Sequence, residues 1–444
     1  MNEHGVTIVM FIAMTIDLSK QGNTMKFELK RIWAGFAVLT VATVISAQER
    51  NQPVFAAAQA AQPAVIETLQ KLVSIDSGSA NLAGIGKLAD FAEARLKALG
   101  AQTERIKTAG SERVMVKGVL TGTGTLKALL IAHMDTVYAE GILATEPYRM
   151  EGNRLYGPGI ADDKGGIAVI LHSLDVLKQL GWRDYAQLTV LLNADEEIGS
   201  GSSGDTIAAL GEAHDVVLSY EPSAAKAVAK EESVLLSAAG TATAMLEVKG
   251  RASHAGAAPD QGRNALIELS HQVLATQDVA KGIPGAQLNW TYSQGGLVRN
   301  QIPEKALAFG DVRLSQADAG DKLRAALEAK VKESKRVPDT EVTVKLDIGR
   351  PPFVAGERGL ALAKRAQTIY AELDGRKLIL IPSTGGGTDA GFAGRSGKPV
   401  VMESMGLAGW GYHAKNEYIE IDSIVPRLYL TARLLQELAK NPAK

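Results

Sequence analysis

The chain has 444 residues, 46% of them hydrophobic, a net charge of −1 and no cysteine. At roughly 100–200 residues per domain, that length holds two or three domains with ample core, and the balanced charge argues against a nucleic-acid partner. Without thiols there are no disulfides, so any metal must sit on His, Asp and Glu, donors that suit zinc, cobalt or manganese.

At the N-terminus, Lys26, Lys30 and Arg31 precede an apolar run over 32–47. A basic start, an apolar stretch and small residues at Ser46 and Ala47 predict a secretory signal peptide, hence a periplasmic or secreted protein. The run falls short of the ~20 residues that a spanning helix needs, which counts against an uncleaved anchor and a lasting membrane association. Met25 is the natural start of such a signal, and 1–24 reads as an upstream extension. Residues 1–55 are taken as leader and signal, and the Gln/Ala-rich 48–62 as a linker.

From Pro63 onward, strands and helices alternate. The spacing predicts helices over 64–73 and 84–99, the second stopped by Gly100. A buried parallel strand follows over 126–133. The stretch 164–180 is a helix with Ile167, Ile170, Leu171, Leu174 and Leu177 on one face. Buried strands recur at 188–193 and 216–220. Between 239 and 350 the texture changes: 242–249 and 306–314 alternate like strands with one buried face, while 264–275 and 319–334 read as helices. A buried strand at 399–403 and an amphipathic helix at 424–439 close the chain. The expected architecture is α/β: a mostly parallel-sheet domain in two parts, 62–238 and 351–440, around an inserted α+β domain, 239–350.

His133, Asp162, Glu196, Glu197 and Glu221 all fall at or just after the C-terminal end of a predicted strand. Open α/β sheets form their binding crevice there. His133 and Asp135, two apart on a strand, share a face, so one can ligate while the carboxylate steadies the imidazole. Asp162 and Asp163 start a helix in a glycine-rich loop, and either cap it or supply a bridging carboxylate. Glu196 and Glu197 point to opposite sides if extended. One can then ligate while the other faces a metal-bound water, acidified towards pKa ~7, and takes its proton. Glu221 precedes the rigid Pro222, and His413 lies in a glycine-rich loop. His254, in ASHAG, is a candidate donor to an oxyanion. His172, His214 and His271 lack acidic company and read as structural. Five ligands and one free carboxylate make the inventory of a two-metal hydrolytic site.

Taken together, HMDTVY, YGPGIADDKGG, DEE, GRASHAGAAP and TGGGTDA resemble the di-zinc exopeptidases of the aminoacylase and acetylornithine-deacetylase superfamily. Within it, residues 63–438 are most similar to bacterial glutamate carboxypeptidases of the carboxypeptidase G type. The resemblance implies two Zn2+ per subunit, with Co2+ or Mn2+ as possible substitutes. His133, Asp162 and Glu221 would hold one ion; Glu197, Asp162 and His413 the other. Asp162 is then the bridge, Glu196 the general base and Asp135 the residue orienting His133. It also implies a cis peptide between Asp162 and Asp163, an inserted domain that makes a homodimer, and a His254 that reaches a neighbouring active site. Asn300, Arg313 and the 385–388 loop, including Gly386 and Thr388, match substrate-binding positions. Arg350 matches a position associated with the side-chain carboxylate of a C-terminal glutamate. The implied reaction is hydrolysis of the amide bond to a C-terminal amino acid, glutamate above all, in folate or N-acyl-glutamate type substrates.

The chain departs from this pattern after Glu221, where PSAAKAVAKEESVLLSAAG has no clear second cation for glutamate beyond Lys226 or Lys230. A broader dipeptidase or N-acyl-amino-acid hydrolase with the same metals is therefore the alternative. Two other classes fare worse. The stretch 199–204 formally matches a dinucleotide-binding GxGxxG, but residues 194–198, with three acids, separate it from its strand. A non-catalytic binding protein would need a broken site, and every ligand position is intact.

Overall fold

The computed structural model describes residues 49–443 other than 108, 109 and 111. The expected signal peptide and the start at Met25 lie outside the described residues. Among the described residues, no helix is long and apolar enough to cross a membrane.

The first helix, Gln52–Val73, begins inside the segment expected to be a linker. The Asn51 side chain caps it by accepting from the Val54 amide, with Pro53 in the first turn. Its buried stripe starts with Val54, Ala58 and Ala61 and continues through Val65, Leu69 and Leu72. Alanine is the strongest helix former, and here it also carries the apolar period, so composition alone misled. A second helix, Leu82–Leu99, stops at Gly100, whose φ of 99° is left-handed, as expected.

These helices cover a six-stranded sheet ordered Gln102–Lys107, Val114–Thr121, Gln187–Asn193, Lys127–His133, Val216–Ser219, Val400–Met402. The last four strands run parallel to one another, and the first two are antiparallel additions at one edge. Alternate residues feed two cores. Ala128, Leu130 and Leu218 pack with Gln52–Val73, Lys164–Gln179 and Ile424–Lys440. Leu129, Ile131 and Val217 pack on the other side with Ile207 and Phe392. Burial on both faces explains why these strands read as continuous apolar runs. The fold is mixed α/β around a mostly parallel sheet, as expected.

Residues 240–348 build a separate four-stranded antiparallel sheet, ordered Ala286–Gly295, Lys305–Leu314, Gly240–Lys249, Glu341–Ile348. Helices Ala265–Thr276 and Ala319–Glu333 cover it and share its cores through Leu269, Leu323 and Leu327. A smaller five-stranded sheet joins Arg149–Glu151, Arg154–Tyr156, Tyr418–Glu420, Ala408–Trp410 and Ser223–Ala224. It brings the C-terminal histidine loop beside the end of Val216–Ser219.

Candidate metal centre

Three neighbouring parallel strands deliver the cluster. His133 is the last residue of Lys127–His133, Glu196 and Glu197 follow Gln187–Asn193, and Glu221 follows Val216–Ser219. Asp162 comes from the loop before Lys164–Gln179, and His413 from the loop between Ala408–Trp410 and Tyr418–Glu420. His133 Nε2 lies 2.9 Å from Asp162 Oδ1 and 3.8 Å from Glu221 Oε1. His413 Nε2 lies 3.2 Å from both Asp162 Oδ2 and Glu197 Oε2. Two groups of potential ligands result, His133–Asp162–Glu221 and Asp162–Glu197–His413, each with its donor atoms within 4.8 Å of one another. Asp162 offers one oxygen to each group.

The neighbours of these residues are arranged differently from the sequence expectation in two respects. Glu196 and Glu197 stand in a helical turn, Glu196–Ile198, and not in extended chain, so the turn is what separates their side chains. The strand ends at His133, and its Nδ1 meets the Asp135 main-chain oxygen at 2.9 Å, with the Asp135 carboxylate 3.6 Å away. That carboxylate also accepts from the Glu196 and Glu197 amides, at 3.1 and 3.3 Å, and from Ser79 Oγ at 2.8 Å. It holds the Glu-Glu turn against the His133 strand. Asp163 caps the helix by accepting from Gly166 N at 3.1 Å, whereas Asp162 faces the two histidines. The peptide joining them is cis.

A cavity of about 990 Å³ opens over the cluster and is lined by Glu196, Arg313, Arg350, Gly386, Thr388 and His413, among others. Arg350 Nη1 is 2.7 Å from Glu196 Oε1. His254 and Asn300 do not line it. His254 is exposed, and its Nδ1 accepts from the Gly256 and Ala257 amides at 3.2 and 3.0 Å, which leaves the proton on Nε2. The Asn300 main-chain oxygen accepts from Ala255 N beside it. Lys226 pairs with Asp422, and neither it nor Lys230 lines the cavity, whereas Val228 and Ala229 do. His172 and His214 are buried against Thr68 and Thr189, and His271 meets Ser334, away from the cluster.

Several buried acids of this region were not singled out from the sequence. Asp389 accepts from Asn193 Nδ2 at 2.7 Å and from Ser200 Oγ, and stands 3.9 Å from Arg350 Nε. Glu403 accepts from Thr388 Oγ1 at 2.8 Å and lines the cavity. It follows the strand Val400–Met402, so the criterion that selected Glu221 would also have selected it. Glu417, buried against the Asp162 loop, is a third.

The electrostatics call for a cation. Burial, then the neighbouring Asp162, pushes Glu221 up to about 8. Burial and then Glu221 push Glu196 well above the usual carboxylate range, and burial raises Glu197 despite its bond to His413. Hydrogen bonds donated to Asp162 and Glu197 lift His413 to about 10. Burial opposes the charge on Asp162, yet His133 and His413 hold it below the ordinary value. Glu197 Oε1 is buried without a hydrogen-bond partner. Crowded carboxylates, two imidazoles and an orphaned oxygen fit divalent ions with nitrogen and oxygen preferences.

Residues 129–437 match Peptidase family M20/M25/M40. The chain belongs to that family. Membership brings a metal cofactor with it, which the donor set here suits. Within this peptidase family, the chain is 45% identical to carboxypeptidase G2 of Pseudomonas sp. (strain RS-16) over 411 residues, 92% of this chain and 97% of that one. It is 33% identical to acetylornithine deacetylase of Myxococcus xanthus over 265 residues, 54% of this chain and 64% of that one. In fold it resembles the M20 family metallo-carboxypeptidase Sso-CP2 from Sulfolobus solfataricus, with a TM-score of 0.66 at 18% identity, covering 85% of this chain and 99% of that one.

Proposed function

We propose that this chain is a zinc-dependent carboxypeptidase that hydrolyses the amide bond to a C-terminal amino acid, glutamate in the first place, in folate or N-acyl-glutamate type substrates. The observation that carries the reading is the double use of Asp162. One carboxylate serves two ligand groups, with Glu196 beside them in a cavity that also holds two arginines. The likeness to carboxypeptidase G2 supports the same reaction class.

In this reading, His133, Asp162 and Glu221 hold one Zn2+, and Asp162, Glu197 and His413 hold the second. Zinc held there would supply Lewis acidity for the scissile carbonyl and the attacking water. Glu196 takes a proton from the attacking water at a carboxylate oxygen and hands it to the leaving amine nitrogen. Arg350 and Arg313 hold substrate carboxylates by charge-assisted hydrogen bonds, with Gly386 and Thr388 in the wall beside them. Asp135 keeps His133 and the Glu196 turn in register.

His254 and Asn300 belong to a dimer in this reading, His254 offering its Nε2–H to an oxyanion in the neighbouring subunit. The 239–350 segment, as dimerisation domain, has an edge strand, Ala286–Gly295, that leaves Tyr292 53% exposed. Leu266, which packs next to Gly295, and Leu274 add exposed apolar surface at 40% and 65%. Unpaired edge and apolar patch together support a second copy there. Sedimentation of the purified chain tests this: a monomer that is fully active rules it out. The basic and apolar pattern over 26–47 supports export to the periplasm, and recovery of mature protein beginning at Met1 would refute it.

Hydrolysis of a matched N-acyl series differing only in the C-terminal residue, by zinc-loaded protein with an EDTA control, tests the reaction. Chelator-sensitive preference for glutamate is expected, and hydrolysis indifferent to EDTA overturns the reading. One observation favours the broader dipeptidase or N-acyl-amino-acid hydrolase: Val228 and Ala229, and neither nearby lysine, face the cavity. Chelator-sensitive hydrolysis without C-terminal preference would select it.

A further inference from the structure

One side chain outside the ligand groups joins three of the segments that carry them. Glu417 is buried, four residues beyond His413, where the histidine loop returns to the strand Tyr418–Glu420. Its Oε1 accepts from the amides of Ala161 and Asp162 at 2.8 and 3.0 Å. Its Oε2 accepts from the Gly159 amide at 2.7 Å and from the Tyr138 hydroxyl at 2.8 Å. Three amides and the hydroxyl, whose one proton is shared with the Ala414 main-chain oxygen, surround the carboxylate. The Tyr138 hydroxyl also lies 2.8 Å from the main-chain oxygen of Ala414, next to His413. Tyr138 itself sits in the turn that follows His133 and Asp135. The charge is not left alone: the Lys164 ammonium is buried close by, on the main-chain oxygens of Ile75 and Pro158 at 2.9 and 3.1 Å.

The two ligand groups differ in how they are anchored. His133 ends one strand of the six-stranded sheet and Glu221 lies two residues past the end of the next, so their spacing is set by strand pairing. Asp162 and His413 are both on loops, and His413 has a left-handed backbone with φ 63°. The amides of Gly159, Ala161 and Asp162 turn inward to Glu417, and buried N–H groups left unpaired would not stay in that arrangement. Gly159 has φ 70°, and a Cβ there would meet Thr136 Cγ2 at 2.4 Å, so the loop passes the Tyr138 turn as closely as a glycine allows.

We propose that Glu417 is a positioning residue that sets the distance between Asp162 and His413, and thereby the affinity of the second metal group, without touching the ion. The proposal rests on the two-zinc reading above. Its action is unequal: Asp162 serves both groups, but the sheet holds the other two ligands of the first, His133 and Glu221, whereas the second takes two of its ligands from the tied loops. An uncharged amide at 417 would keep the size but turn a donor towards donors.

Titrating chelator-stripped full-length protein with Zn2+ against a competing chromophoric chelator separates the two sites. Wild-type protein takes two ions. In Glu417→Gln the second ion is expected to bind about 10–100-fold more weakly, the usual cost of removing a partner behind a metal ligand, while the first weakens by less. Tyr138→Phe should shift the second ion in the same direction by less. Unchanged binding of both ions in Glu417→Gln overturns the proposal, as does an equal loss at both sites. If Glu417→Gln does not fold, Tyr138→Phe decides alone, and unchanged second-ion affinity there overturns it. A single ion bound by wild type would overturn the two-zinc reading and the proposal with it, an outcome distinct from two ions bound equally by wild type and variant.

Discussion

Glu196 and Arg350 are ion-paired at the head of the cavity, Nη1 to Oε1 at 2.7 Å, with Arg350 Nη2 also on the Glu196 main-chain oxygen. Both side chains are 8% exposed, so each is the other's main compensation for lost water. Arg350 Nε has no hydrogen-bond partner. The guanidinium thus has one edge on the proposed base, its buried Nε 3.9 Å from Asp389, and it lines the cavity beside Glu196.

For Glu196, the proposed proton carrier, Glu196→Gln should retain both zinc ions and lose about 10²–10⁴-fold in turnover, the range of general-base contributions. Metal analysis alongside kcat checks it. Near-normal turnover in a zinc-replete variant would remove Glu196 from its role.

Arg350→Met should raise KM chiefly for substrates with an acidic C-terminal residue, by about 10–100-fold if one charge-assisted contact of ~1.5–3 kcal/mol is lost. The comparison is with the same N-acyl series ending in neutral residues. An equal rise for neutral and acidic residues would favour the broader hydrolase.

Asp135 accepts from both amides of the Glu-Glu turn and from Ser79. Asp135→Asn turns a donor towards at least one of them, and about 10–100-fold of activity should go with it. The decisive quantity is kcat at saturating zinc. If that is normal and only zinc affinity falls, Asp135 serves His133 alone and the amide contacts are incidental.

Without metal, stability should fall as pH rises from about 5 to 10. Glu221 has an ordinary value of 4.5 and is pushed to about 8 in the fold, so between those values the unfolded chain ionises first and is favoured. His413, raised from 6.5 to about 10, stabilises the fold fully below 6.5 and loses that contribution on the way to 10. Asp162 is shifted the opposite way, and its effect is confined below its ordinary value of 3.8. Thermal melts of EDTA-treated protein across this window should slope downward, and zinc-loaded protein should slope less. Parallel curves would show that no metal replaces these protons.

Much of the fold was legible because buried parallel strands and amphipathic helices write themselves as apolar runs and periods of 3.6. The strands ending at His133, Asn193 and Ser219 and the helix Lys164–Gln179 were found almost to the residue. Weaker patterns failed. The strand Ala286–Gly295 is an edge strand with only Leu288 buried, so it has no clean alternation, and Gln52–Val73 hid its stripe in alanine.

The sequence by itself determined which residue types gather at the strand ends, since the acids and His133 are fixed in order by the strands that carry them. It could equally well bring out HMDT, ADD and DEE as specific segments without a coordinate. Tertiary structure alone decided which aspartate caps a helix and which faces two histidines, and that Asp135 serves the amides of Glu196 and Glu197. It alone also paired Arg350 with Glu196 and tied Asp162 to the histidine loop through Glu417. Those contacts join positions far apart in the chain, as Asp162 and Glu417 are. Their partners are set by sheet order and loop closure, which local periodicity does not encode.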